Sequence, residues 1–442
     1  MKQYEKYKDS GVEWLGEIPE HWTFGKLKWF STIYAGGTPS TTIESYWKNG
    51  NIPWLNSGTV NQKRITSASN YITEEALKYS STKWVPKGSL VMALAGQGKT
   101  KGIVAILEID ATCNQSMAAI IPNSQKCNNE FIYYWLESNY ERIRGLAGSE
   151  SRDGLNLELV GGIQCPLPPL TEQINISIFL NLQTSIIDQL ITEKESLITK
   201  LQEKRKALIN EVVTKGLNPN APMRDSGIEW LGMIPKHWKV TKINRAFNEI
   251  GSGTTPTSGS SKYYENGDIN WLNTGDLNDG VIIKTNKRIT SVATKEFSTL
   301  KLYPKGSVVI ALYGATIGKL GLLEIETTTN QACCVLSNSK SITQKYLFYY
   351  LYSSREHIIS LAYGGGQPNI SQELIKQLPI LQTSIEEQSE IVEFIESRNT
   401  KIEQTISEIQ IQIQKLKEYK TAVISEVVTG KVDVREWKPK NN

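Results

Sequence analysis

The chain says the same thing twice. Residues 8–29 read KDSGVEWLGEIPEHWTFGKLKW and residues 224–245 read RDSGIEWLGMIPKHWKVTKINR, so Asp9 recurs as Asp225, 216 positions on. Each copy closes on EVVT, at Glu211–Thr214 and again at Glu426–Thr429. A repeat this long implies two similar modules in a fixed relation. That suits a protein gripping two places on one extended partner better than it suits a single-pocket enzyme.

At 442 residues the chain exceeds what one core supports. No apolar run approaches the roughly 18 residues of a membrane span, and the amino-terminal MKQYEKYKDSG lacks the apolar stretch of a secretory signal. A cytoplasmic location and no membrane partner are expected. Of five cysteines, Cys113, Cys127, Cys165, Cys333 and Cys334, none forms a C-x-x-C pair. Free thiols are expected, with Cys333 and Cys334 in a buried strand. Net charge is +4, concentrated in 218–385, where 17 basic residues face 12 acidic ones. Such a balance permits a nucleic-acid partner without announcing one.

The order along the chain is globular, helix, globular, helix. Short apolar runs between turn signals predict strands at Ser89–Ala95, Ile103–Ile109, Ser307–Leu312 and Leu320–Ile325. Aromatic-rich helices are expected over Glu130–Tyr140 and Thr343–Ser353. Two long helices follow, the first N-capped at Thr171, the second opened by a Ser384–Glu387 capping box, ending at Gly216 and Gly430. Their apolar positions keep a 4, 3 spacing. The seam is Ile187, Ile191, Ile198, Leu201, Leu208 and Val212 in the first, with Lys194 and Arg205 in register. In the second it is Ile402, Ile409, Ile413, Leu416, Val423 and Val427, with Lys420. About 40 residues at ~1.5 Å each make a rod of roughly 60 Å. Two rods of matched length are expected to pair antiparallel within the chain.

The expected domains are thus 1–170, 171–217 (first spacer helix), 218–385, 386–432 (second spacer helix) and a 433–442 tail. The fold class is mixed α/β (α+β) with a pseudo-two-fold internal repeat. The repeat continues inside the modules. Trp54-Leu55-Asn56 matches Trp271-Leu272-Asn273, Lys63-Arg64-Ile65-Thr66 matches Lys287-Arg288-Ile289-Thr290, Pro86-Lys87-Gly88-Ser89 matches Pro304-Lys305-Gly306-Ser307, and Asn114-Gln115 matches Asn330-Gln331.

Chemistry-bearing motifs are absent. Gly96–Thr100 lacks the upstream glycine of a phosphate loop, position 93 being alanine. Asn51-Ile52-Pro53-Trp54 has no proline in its copy and no cofactor loop before it. His21, His237 and His357 have no ligand-spaced partners, so no metal is expected. What remains are basic and amide residues in loops: Lys63, Arg64, Lys287 and Arg288; Lys99 and Lys101; Thr316 and Lys319; and the polar loops 148–156 (Ser149, Arg152, Asn156) and 364–369 (Gln367, Asn369). Arginine and amide side chains read base edges, while lysine and serine favour phosphates, so these are the candidate DNA contacts.

The doubled SG[VI]EWLG-x-IP-x-HW opening, the WLN and PKGS segments, GATIGK at 314–319 and the doubled TEQ/EEQ…EVVT helices resemble the specificity (S) subunits of type I restriction–modification systems. The resemblance spans nearly the whole chain. It implies two target recognition domains joined by an antiparallel coiled coil, each reading half of an asymmetric bipartite double-stranded DNA target. It implies further that the chain itself is not catalytic and binds no cofactor. Two methyltransferase (M) subunits would bring S-adenosylmethionine, and restriction (R) subunits would use ATP and Mg2+. Gly96–Gly102 departs from the GATIGK form and is longer. The alternative function is a duplicated, non-catalytic protein-binding scaffold.

Overall fold

The computed structural model describes residues 2–96, 99–146, 154–362 and 369–438. They form two compact units, one of residues up to 194 with 411 onward, the other of 195–410. Both long helices, Leu170–Lys215 and Ile385–Val428, are divided between the units.

In the first unit a five-stranded sheet has the order Ser31–Ala35, Met117–Pro122, Leu90–Ala93, Val104–Leu107, Arg64–Ile65. Its last pair is parallel and the others antiparallel. Leu90–Ala93 and Val104–Leu107 are buried at every residue because both faces of the sheet are covered. Side chains alternate between the two cores. Leu90, Met92, Val104 and Ile106 face the core of the helix Asn129–Ser138, with its Phe131 and Trp135. Val91, Ala93, Ala105 and Leu107 face an outer sheet ordered Asn70–Ile72, Ile52–Leu55, Ala111–Cys113, Trp84–Val85.

The second unit repeats the plan. Its sheet is Phe247–Gly251, Cys333–Ser339, Val308–Ala311, Leu320–Leu323, Gly280–Ile282, with the helix Gln344–Ser353 on one face. Cys333 and Cys334 are strand residues, fully buried. The outer sheet has three strands, Arg288–Ile289, Ile269–Leu272 and Thr328–Thr329. A single bridge, Tyr303 to Thr327, stands where the first unit has its fourth strand.

The long helices run antiparallel within each unit. In the first, Lys420 Nζ donates to Asp188 at 2.6 Å and Lys194 Nζ donates to Gln412 at 2.6 Å. In the second, Arg205 donates to Glu403 at 3.3 Å and to the Tyr352 hydroxyl at 3.4 Å. Ile187, Ile191, Val212, Ile409, Ile413, Val423 and Val427 are buried; Ile198, Leu201, Leu208, Ile402 and Leu416 are half-buried. Ile406, absent from the expected seam, is also half-buried and completes its 4, 3 spacing. Each fully covered aliphatic side chain contributes about 1.5–3 kcal/mol relative to exposure.

The repeated HW dipeptide fastens modules to helices. In the first unit Glu172, 5% exposed in the first turn of its helix, accepts from Trp22 Nε1 at 3.0 Å and the Tyr4 hydroxyl at 2.5 Å, and pairs with His21 Nε2 at 2.8 Å. The end of the other long helix arrives at the same place, since a Cβ on Gly430 would lie 2.3 Å from Pro19 Cδ and 3.1 Å from the Trp22 ring. In the second unit Glu387 accepts from Trp238 Nε1 at 3.1 Å and meets His237 Nε2 at 2.9 Å, with Gly216 against the Trp238 ring. The neighbouring glutamines are buried and bonded to backbone: Gln173 to Asn128 N and Pro168 O, Gln388 to Thr343 N and Ser341 O. The EQ pair is therefore a joint.

Two expected caps are corrected by this joint. The first helix begins at Leu170, and the Pro169 carbonyl takes the Glu172 and Gln173 amides, so Thr171 lies inside it. Ser384 does accept from Glu387 N at 3.1 Å, but the Glu387 carboxylate serves Trp238, His237 and Thr383 instead of closing the box. Gly216 and Gly430 end the helices at φ of 72° and 73°, where glycine carries no Cβ penalty. No helix among the described residues is long and apolar enough to cross a membrane.

Candidate nucleic-acid interface

In each unit the connection between the two central strands meets the chain returning after the aromatic helices. In the first unit Leu155 N donates to Leu94 O at 2.8 Å, which ties the 94–102 connection to the segment holding Asn156. In the second, Ile370 N donates to Leu312 O at 2.8 Å, and Asn369 bridges Tyr313. Lys99, Lys101 and Asn156 are thus gathered at one edge, as are Thr316, Lys319 and Asn369. Lys99, Asn156 and Asn369 are exposed, Thr316 and Lys319 half-buried, and Lys101 only 8% exposed. The Asn156 side chain caps a short helix by accepting from Leu159 N at 2.9 Å. Ser149, Arg152 and Gln367 lie outside the described residues.

These connections share a frame and differ in length. Gly102 N donates to Ala93 O, and Gly318 N donates to Ala311 O, both at 2.9 Å. Gly102 and Gly318 are therefore equivalent, which makes the first connection two residues longer. Both hold positive φ, 87° and 75°.

Arg64 stands elsewhere and is already engaged. Its guanidinium bonds Glu130 at 2.6 Å and 2.9 Å, Glu108 at 2.9 Å and Asn181 of the long helix at 3.3 Å. The Glu130 hydrogen bond, with Glu108 beside it, raises the guanidinium pKa further above its ordinary value. Lys63 pairs with Glu137 at 3.2 Å. Lys287 and Arg288 are exposed.

The match of Lys63–Thr66 with Lys287–Thr290 is overturned by the strand pairing. Arg64 and Ile65 pair parallel with Ile106 and Leu107, and the second unit fills that place with Val281 and Ile282 against Leu322 and Leu323. Ile289 instead pairs with Ile269 as Ile72 pairs with Ile52. Arg288 is therefore the counterpart of Tyr71, and the two KRIT strings coincide by chance.

The corrected alignment exposes aromatic positions that loop-by-loop reading missed. Around the outer sheet of the first unit Tyr71 is 41% and Trp84 45% exposed, on opposite edge strands and, by the pairing register, on opposite faces, and Tyr79, just past the helix Glu74–Lys78, is 64% exposed. Lys78 Nζ lies 5.1 Å from the Tyr79 ring and Lys83 Nζ 5.6 Å from the Tyr34 ring. Exposed aromatics interleaved with lysines suit a nucleic acid. The positions equivalent to Tyr71, Tyr79 and Trp84 are Arg288, Glu296 and Leu302, so the surfaces differ while the frames agree. The available signal was Tyr71 and Trp84 on solvent-facing strand positions, which no core requirement explains.

The family described as the type I restriction modification DNA specificity domain matches residues 19–200 and again 235–415. The chain belongs to that family. It is 25% identical over 347 residues to the MjaIX type I restriction enzyme specificity subunit of Methanocaldococcus jannaschii, covering 76% of each chain. It is 31% identical over 179 residues to the EcoR124I/EcoR124II specificity subunit of Escherichia coli, covering 40% of this chain and 43% of that one. Among solved structures, one from work on assembly and conformational transition of the type I R-M system superposes with a TM-score of 0.74 at 16% identity, covering 94% of this chain and 99% of that one. The HsdS subunit of Thermoanaerobacter tengcongensis gives 0.55 at 15% identity, covering 94% and 98%. The specificity family accounts for the double frame: the chain recognises DNA, and a duplicated protein-binding scaffold is not favoured.

Proposed function

We propose that this chain reads an asymmetric, bipartite double-stranded DNA sequence, one half with each module, and so directs adenine methylation or cleavage by partner subunits. The carrying observation is the contrast between a shared frame and unlike exposed residues around it, Tyr71, Tyr79 and Trp84 against Arg288, Glu296 and Leu302. Unlike surfaces on one frame select unlike half-sites. The candidate contacts are those of the connection and return segments, Lys99, Asn156, Thr316, Lys319 and Asn369, together with exposed Lys287 and Arg288, while Lys101 is buried and drops out. The long helices set the unspecified spacer.

The chain's own task is recognition. Methyltransferase subunits, two per chain, would carry S-adenosylmethionine, and restriction subunits would carry ATP and Mg2+. Half-sites about one helical turn apart would each present a major groove.

The test is a module exchange. Replacing 1–170 by the corresponding domain of another specificity subunit, then mapping methylated motifs, should change one half-site and leave the other. If both halves change, the one-module, one-half reading is wrong. Removing one heptad from both helices should shorten the spacer with both half-sites intact.

A further inference from the structure

Each unit carries the same groove beside its SG[VI]EWLG segment, away from the outer sheet. In the first unit it is a cavity of about 590 Å³ lined by Trp14, Lys26, Lys28, Leu146, Leu159 and Ile163. In the second it measures about 540 Å³ and is lined by Trp230, Lys242, Arg245, Leu361, Leu374 and Leu378. Trp14 and Trp230 lie 216 positions apart, as do Lys26 and Lys242; Leu146 and Leu361 lie 215 apart, as do Leu159 and Leu374. The grooves are therefore one feature made twice.

Both indoles are held in place. Trp14 stacks on Trp135, centroids 5.7 Å apart and planes 27° apart, and the Arg142 guanidinium lies 4.1 Å from its ring centre. Trp230 stacks on His357 at 4.4 Å and 21°. Trp14 is still 39% exposed, and Leu146 and Leu361 are 46% and 40% exposed. Uncovered aliphatic and indole surface at the same place in both modules marks a contact surface.

Charge says what fits. The first groove has Lys26, Lys28 and Arg142 against one acid, Glu158, and the second has Lys242 and Arg245 with no acid in its lining. An apolar floor with a basic rim complements an acidic segment bearing leucine or aromatic side chains. Both indoles already have stacking partners and the rest of the floor is aliphatic, which favours peptide over bases, whose binding relies on open aromatic platforms. The duplication adds the stoichiometry. The outer sheets differ between units while the grooves agree, as two copies of one partner require.

We infer that the twin grooves each take the same short acidic, apolar segment of the methyltransferase partner, one partner copy per module. The partner's identity rests on the proposed function; the segment's chemistry rests on the grooves. The volumes suit a few side chains of a short segment.

The experiment uses the full chain with the methyltransferase subunit of its host, and a photo-crosslinking benzoylphenylalanine at Leu146 or Leu361. Both positions should cross-link to one and the same acidic stretch of the methyltransferase. Lys26→Glu with Lys28→Glu should abolish the first cross-link only, and Lys242→Glu with Arg245→Glu the second only. Each pair should weaken capture of one partner copy by about tenfold, as expected for losing and reversing two rim charges. A stable complex without cross-links at either groove would overturn the inference and leave the proposed function standing. Cross-links to DNA in place of protein would overturn it in favour of a nucleic-acid groove. If the two proteins form no complex at all, the proposed partner itself is wrong.

Discussion

Trp22 Nε1 donates to Glu172 Oε1 at 3.0 Å, joining residues 150 positions apart in the sequence. One is fully buried in the IPEHW turn, and the other opens a 46-residue helix. The second unit makes the same bond from Trp238 to Glu387 at 3.1 Å. These bonds fix the direction in which a helix leaves its module.

Replacing Glu172 with alanine strips the acceptor from the buried Trp22 and Tyr4 donors. Each buried donor left unsatisfied costs about 1–3 kcal/mol. We expect the first unit to unfold at lower urea, with faster amide exchange at the start of the first long helix. Adding Trp22→Phe should cost less than the sum of the single changes, because it removes the orphaned donor as well.

Arg64 and Arg288 should separate stability from binding. Arg64→Ala breaks contacts with Glu130, Glu108 and Asn181, and should lower the stability of the first unit by about 1–3 kcal/mol. Arg288 has no ion-pair partner among the described residues and lies on an exposed strand edge. Arg288→Ala should leave unfolding unchanged and weaken DNA binding, reducing the salt slope by about 1 if it meets a phosphate. Fluorescence anisotropy over a salt series, beside urea unfolding, distinguishes the two.

Acid should loosen the second joint. Burial pushes the Glu387 carboxyl up, but hydrogen bonds from Thr383, His237 and Trp238 outweigh it and hold its pKa below the ordinary carboxylate value. A carboxylate depressed in the folded state contributes stability above its unfolded pKa of about 4.3. That contribution fades as pH falls through the lower folded value. Amide protection at residues 385–392, relative to intrinsic exchange rates at each pH, should therefore fall below about pH 4. Glu387→Gln should remove this pH dependence.

The thiols should be inert in the folded chain. Burial pushes Cys113 and Cys334 up to about 12 and Cys127 to about 11, and raises Cys165 and Cys333 as well. All five are buried and free. At pH 8 a thiol reagent such as dithionitrobenzoate should titrate none of them before denaturant is added, and all five afterwards.

The helices and central strands were readable because periodicity is a local property. The 4, 3 spacing locates the seam, and SLVMALA and SVVIAL become strands covered on both faces. The repeat was readable too, but its detail was not. Most matched positions lie 216–218 apart, whereas the KRIT strings lie 224 apart, and that outlier marks a false equivalence that only strand pairing exposes. Glu387 shows the same limit at a cap: S-x-x-E is a correct local signal, outweighed by a tryptophan 149 residues away. The exposure of Tyr71 and Trp84 depends on which strands form the sheet edges, and spacing along the chain does not encode that.

The first unit is built from two stretches far apart in the sequence, residues up to 194 and residues from 411. Lys2 bridges Asp433, the Tyr7 hydroxyl donates to Gly430 O at 3.2 Å, and Phe179 packs edge-on against Trp437. The second unit uses the continuous stretch 195–410. On the ribosome the module made first is thus the one completed last. It waits with the start of its helix uncovered until residues 411–438 emerge, while the module made second can close as it is made. A stop codon that removed residues 411–438 would therefore strike the amino-terminal reader, which lies more than 200 residues upstream of the lesion.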